Sequence, residues 1–155
     1  MTGTARTALK RYGILFGILV AVFALFFSFS YLRKKTEVKY LTAAADALCN
    51  SYPAFKGLTV AVTGTAKNVP AGMAFRAVFS ASYAGHDALI FFLSLTGKYG
   101  VYPAVFFYEP SLGCIFCGLA GVNVPFDQAE RYGITQAAVE LSRRKIETLM
   151  QGRIR

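Results

Sequence analysis

The sequence predicts an α+β protein, with one N-terminal transmembrane helix, a second helix, a mostly antiparallel meander sheet of about five strands and a C-terminal helix. Three observations lead there. Residues 12–32 carry no charge. Residues 58–120 break into short apolar runs divided by Gly, Pro, Asn and Asp. Residues 127–151 return to a spacing of three and four between apolar positions. Composition agrees with a folded, membrane-attached chain. It is 55% hydrophobic and 16% charged, with 14 Phe and 9 Tyr, which excludes a disordered polymer. Three Cys in 155 residues are too few for a disulfide-stapled miniprotein.

The chain divides into a short basic tail (1–11), a transmembrane helix (12–32) and a soluble α+β domain (33–155). A helix needs about 20 apolar residues to cross a hydrocarbon core of roughly 30 Å. In lipid the backbone must satisfy its own hydrogen bonds, which a lone segment does only as a helix. Tyr12 and Tyr31 stand at the two ends, where amphipathic rings favour the interface. A cleaved signal peptide is the competing reading. The apolar stretch is long for that role, and the Ser28-Phe29-Ser30 site would be followed by Tyr31 and a basic triplet. Orientation is nearly balanced. Arg6, Lys10 and Arg11 precede the span, and Arg33, Lys34, Lys35 and Lys39 follow it. The expected arrangement keeps the tail inside a bacterial inner membrane and the domain outside the cytoplasm.

The second helix is expected over 36–52. Val38, Leu41, Ala45, Leu48 and Tyr52 share one face, and Pro53 ends the run. This stripe either packs on the sheet or forms a short parallel dimer seam. The strands follow. Leu58, Val60 and Val62 alternate, and residues 67–72 make a loop. Phe75, Ala77, Phe79, Ala81 and Tyr83 line one face of the next strand. Residues 84–87 form a hairpin turn, and 88–95 read as a doubly covered central strand. After a turn at 96–100, residues 101–108 form a strand in which Pro103 predicts an edge or a bulge. A turn at 109–113 leads to the last strand at 114–120. In the final helix, Asp127 and Glu130 predict a capping box, Gly133 a break, and Ile134, Ala138, Leu141 and Leu149 the apolar stripe. Glu140 and Arg144 form an i,i+4 pair on its wet side.

The function classes follow from an excess of apolar side chains. Neighbours in a strand point to opposite faces, so Phe91, Phe92, Phe106, Phe107 and Phe116 cannot share one layer. With both helices on one face of the sheet, the other face lacks cover. That surplus marks the five phenylalanines, with Val38, Leu41, Ala45 and Leu48, as candidate partner-binding residues. The competing reading is a curved sheet that hides them internally.

Cys114 and Cys117 form a C-x-x-C, but a redox-active pair belongs at a helix N-terminus. In a strand the two sulfurs point to opposite faces, so Cys49, Cys114 and Cys117 are expected as buried thiols, with a disulfide or redox role as alternatives. With His86 these are the only soft metal ligands available, and no metal or other cofactor is expected. Asp87 and Glu109 sit in separate turns, so acid–base catalysis has no carboxylate pair. No phosphate-binding glycine motif is present.

Arg143, Arg144 and Lys145 read as a solvated helix end or a headgroup contact. They lack the interleaved aromatics of a nucleic-acid site. The expectation is therefore a non-enzymatic, single-pass structural or assembly subunit of a bacterial envelope complex, with the bilayer and a protein partner or second copy as its contacts. A membrane-tethered module holding a hydrophobic ligand is the first alternative. A thiol oxidoreductase using Cys114 and Cys117 is the second.

Overall fold

The computed structural model describes residues 3–55, 61–65 and 75–152. The chain separates into two compact units, Met1–Tyr40 and Leu41–Arg155. The described residues of the first unit are all helical. Helix α1 (Gly3–Ser51) begins in it and ends in the second unit. Over 12–32 its side chains are almost all exposed, phenylalanines and leucines included. It is the one helix among the described residues long and apolar enough to cross a membrane. The helix does not stop at the basic cluster 33–35 but runs on into residues 36–51. It ends before Pro53, where the Ser51 hydroxyl donates to the Leu48 carbonyl and the chain tightens into a short turn, Pro53–Phe55.

The second unit is a meander. Strands β1 (Ala61–Thr65), β2 (Ala77–Tyr83), β3 (His86–Gly97), β4 (Gly100–Glu109), β5 (Gly113–Leu119) and β6 (Val124–Pro125) lie in sequence order, every pair antiparallel. The expected sheet is thus present, with a two-residue sixth strand added at its edge. The β1 expectation is met over 61–63, while residues 58–60 and the 67–72 loop lie outside the described residues. The β2–β3 turn is tighter than expected. Ala84 and Gly85 make it alone, with φ of 51° and 82°, so His86 and Asp87 belong to β3. Two left-handed residues match the twist of the flanking strands. Pro103 is not on an edge strand, since β4 is central. Its carbonyl accepts from Ala120 N, so its absent N–H faces the place where β5 ends, and the ladder loses little.

After β6 the chain makes a 3-10 helix, Phe126–Tyr132, and then α2 (Gln136–Gln151). The break at Gly133 is present, with φ of 78°. The capping box is not. Pro125 precedes the 3-10 helix with no side-chain cap, and the cap that forms is Thr135, whose hydroxyl accepts from Ala138 N at 3.3 Å. The apolar stripe of α2 is also displaced from the expected one. Ser142, Ile146 and Met150 are buried with Val139 beside them, whereas Leu141 is exposed and Leu149 half-buried. The expected pair of Arg144 with Glu140 closes at 3.2 Å.

The two helices were expected on one face of the sheet; the structure puts one on each. Leu41, Ala44, Ala45, Leu48 and Cys49 of α1, with Phe55, pack on Phe79, Ile90, Phe92, Val105, Phe107 and Cys117. On the other face Ala129, Ile134, Ile146 and Met150 pack on Val78, Phe91, Leu93, Ala104, Phe106, Cys114 and Leu119. Strand alternation sends adjacent phenylalanines to opposite layers, and each layer has its own cover. Phe75, expected beside Phe79, instead stacks on Phe91 in the second layer, 5.0 Å between ring centroids.

Candidate functional site

The side chains with chemical potential gather on and around β5. This strand alternates correctly from Cys114 to Cys117 and then breaks step. Phe106 pairs with Phe116 but Val105 with Gly118, so Cys117 is the extra residue of a bulge. Gly118 has φ of 145°, and a Cβ there would lie 2.3 Å from the Val124 carbonyl oxygen, so no larger residue fits. The bulge lets Cys117 and Ala120, three residues apart, both face α1.

Cys114 and Cys117 therefore lie on opposite faces, as the strand reading expects. Cys114 is in the α2 layer and Cys117 in the α1 layer. Burial pushes the Cys114 thiol up to about 12, with the Glu147 carboxylate adding to the shift. The hydrogen bond it shares with Cys49, then burial, raises Cys117 as well. Protonated thiols are poor nucleophiles, so neither geometry nor charge state makes this C-x-x-C a redox centre. The pairing the sequence could not single out is Cys49 with Cys117. Their sulfurs are 3.4 Å apart, and both residues are fully enclosed.

The structure buries most of the predicted partner-binding residues. Phe91, Phe92, Phe106 and Phe107 are each 0% exposed, and Phe116 is half-buried against Phe106. The first four are core, not surface, because the two helices cover both layers. Leu41, Ala45 and Leu48 are likewise buried, which selects packing on the sheet over a dimer seam. Val38 lies in the first unit and remains exposed.

Among the clefts open on the described surface, one of about 450 Å³ lies beside β5 and the start of α2. Tyr52, Phe116 and Phe126 give it an aromatic floor, and Tyr52 and Phe126 stack at 4.6 Å. Asp127, Glu130, Glu140 and Arg143 stand on its rim. Arg143 also reaches Glu140 at 3.4 Å and Glu147 at 3.9 Å, and Glu147 accepts from Cys114 N at 3.1 Å. The sequence held a weak sign of this cleft: aromatic Phe126 beside acidic Asp127, directly after Pro125.

At the far end of the sheet, Glu109 serves a turn. Its Oε2 accepts from the Ser111 hydroxyl and from Ser111 N and Leu112 N, the latter two at 2.9 Å. These bonds, the Ser111 hydroxyl first, hold its carboxyl below the ordinary carboxylate range. This is the signature of a structural acceptor, not of a catalytic acid. Among the described residues, no three His, Cys, Asp or Glu side chains converge as a metal site.

Comparison with known proteins gives kinship without an activity. Residues 46–154 match a protein family described as "Uncharacterised protein", and the chain belongs to that family. It is 31% identical over 157 aligned residues to an "Uncharacterized protein" of Treponema pallidum (strain Nichols), covering 97% of each chain. No solved structure matches it.

Proposed function

We propose that this member of the family is a membrane-anchored, non-catalytic subunit of a bacterial envelope assembly, with the α+β unit outside the cytoplasm and partners received in the cleft beside β5. One observation carries the anchored part: α1 presents an all-round apolar surface over 12–32 that no described residue covers. At roughly 25 cal/mol per Å² of apolar surface, such a face is stable in lipid and strongly unfavourable in water. The bacterial setting is supported by the Treponema pallidum relative, which aligns along nearly its whole length. The non-catalytic reading is supported by the geometry of β5, whose two cysteines are enclosed and lie on opposite faces of the sheet. With the phenylalanines of β3 and β4 enclosed, the reading places partner contact in the cleft beside β5, whose Tyr, Phe and Arg side chains are those enriched at the centres of protein interfaces.

Two measurements test it. A phosphatase that is active only after export, fused behind Arg155, reports the side of the membrane. Activity is expected, and its absence alongside full expression refutes the orientation. A photo-crosslinking amino acid at Gln136, an exposed residue of the cleft lining, is expected to give a heavier adduct in native membranes. The same group at exposed Thr148, outside the cleft, is expected to give none. If neither position forms an adduct, the cleft is not a docking site.

A further inference from the structure

We propose that Cys49 and Cys117 are a disulfide site, an oxidised clasp that joins the membrane-connected helix α1 to strand β5. The inference rests on the orientation proposed above, because only a compartment outside the cytoplasm sustains such a bond. Geometry selects the pair. Three cysteines allow three pairings, and two of them fail because Cys114 lies on the other face of the sheet. The third has its sulfurs 3.4 Å apart and already in hydrogen-bond contact. A disulfide needs about 2.05 Å, within reach of small side-chain rotations. Alternation along β5 turns the Cys117 sulfur toward α1, and the Leu48 side chain lies against Gly118 from the helix side, so helix and strand pack directly on each other here.

The reaction is thiol–disulfide exchange with an oxidant of the small or protein disulfide class, RSSR. Each cysteine gives up one proton and one electron, the Cys49–Cys117 bond forms, the S–S bond of RSSR breaks, and two RSH leave. Both residues are enclosed in the folded unit, at 0% and 1% exposure. Oxidation therefore belongs to the stage before α1 docks on the sheet, and afterwards the same packing shields the bond from reductants. The clasp closes a long loop, with 68 positions separating the two cysteines. It holds the segment that connects to the span against β5 irrespective of transient opening of the core.

The test uses the full chain in cells, quenched with acid and labelled under denaturing conditions with a thiol-reactive polymer that adds a gel shift per free thiol. The exported-phosphatase reporter runs in parallel. With the reporter active, one shift is expected, from Cys114, and Cys114→Ser is expected to abolish it. Non-reducing digestion should then give a Cys49–Cys117 linked peptide two hydrogens lighter than its reduced parts. Three shifts with the reporter active overturn the proposal. If the reporter is inactive, the orientation fails, and the geometry is judged separately by refolding the purified chain in detergent with reduced and oxidised glutathione. There a Cys49–Cys117 linkage is expected, and its absence, or a linkage to Cys114, overturns the pairing.

Discussion

Phe107→Ala separates a core from a contact surface most cleanly. Phe107 is fully enclosed, and its ring meets Phe55 at 4.8 Å and Tyr83 at 5.6 Å, both edge-on. Truncating an enclosed Phe costs about 3–5 kcal/mol through lost transfer energy and the cavity left behind. Two edge-to-face contacts and full enclosure place Phe107 in the upper part of that range. Against a total stability of about 5–15 kcal/mol for an ordinary domain, this is a large fraction. At roughly 4 °C per kcal/mol for a domain of this size, Tm should fall by about 16–20 °C. The assay is thermal unfolding of the full chain in mild detergent, followed by near-ultraviolet circular dichroism. Tyr99→Ala, at a residue 68% exposed, is the control and should stay within about 0.5 kcal/mol. If the two variants melt alike, Phe107 is not core and the closed two-layer reading is wrong.

Other consequences are as direct. Gly118→Ala combines a left-handed φ with a contact of 2.3 Å to the Val124 carbonyl, so it should destabilise by more than about 1 kcal/mol, whereas Gly13→Ala, with open space around it, should not; urea midpoints distinguish them. The depressed carboxyl of Glu109 contributes stability that is present above its unfolded value near 4.5 and is lost as pH falls through its lower folded value. Glu109→Gln should therefore flatten the dependence of Tm on pH between neutrality and acid, and unchanged curves would contradict the turn-binding role. With its thiol pushed up to about 12, Cys114 should resist alkylation at pH 8 in the native protein and react once denatured; rapid native labelling would refute its enclosure.

The elements were legible where their signal is local. An uncharged run long enough to cross a bilayer, alternation along β2, and Pro53 as a helix stop each act within a few residues, so the sequence shows them directly. Errors arose where two local rules competed. Asp127 with Glu130 matched a capping pattern, but Pro125 and Gly133 confined that stretch to a 3-10 turn, and Thr135 took the cap of α2. That removed the long 127–151 helix and displaced its buried face to Val139, Ser142, Ile146 and Met150.

Long-range placement was not legible. Alternation established that Phe91 and Phe92 part to opposite layers, and that Cys114 and Cys117 do the same. Nothing local states which helix covers which layer, because hydrophobic contact is non-directional and any apolar stripe satisfies any apolar face. Closure of the aromatic layers and the meeting of Cys49 with Cys117 depend on α1 and α2 settling on opposite sides of one sheet. Periodicity along a chain reports each element's apolar side, while the identity of the neighbour on that side is a property of the folded whole.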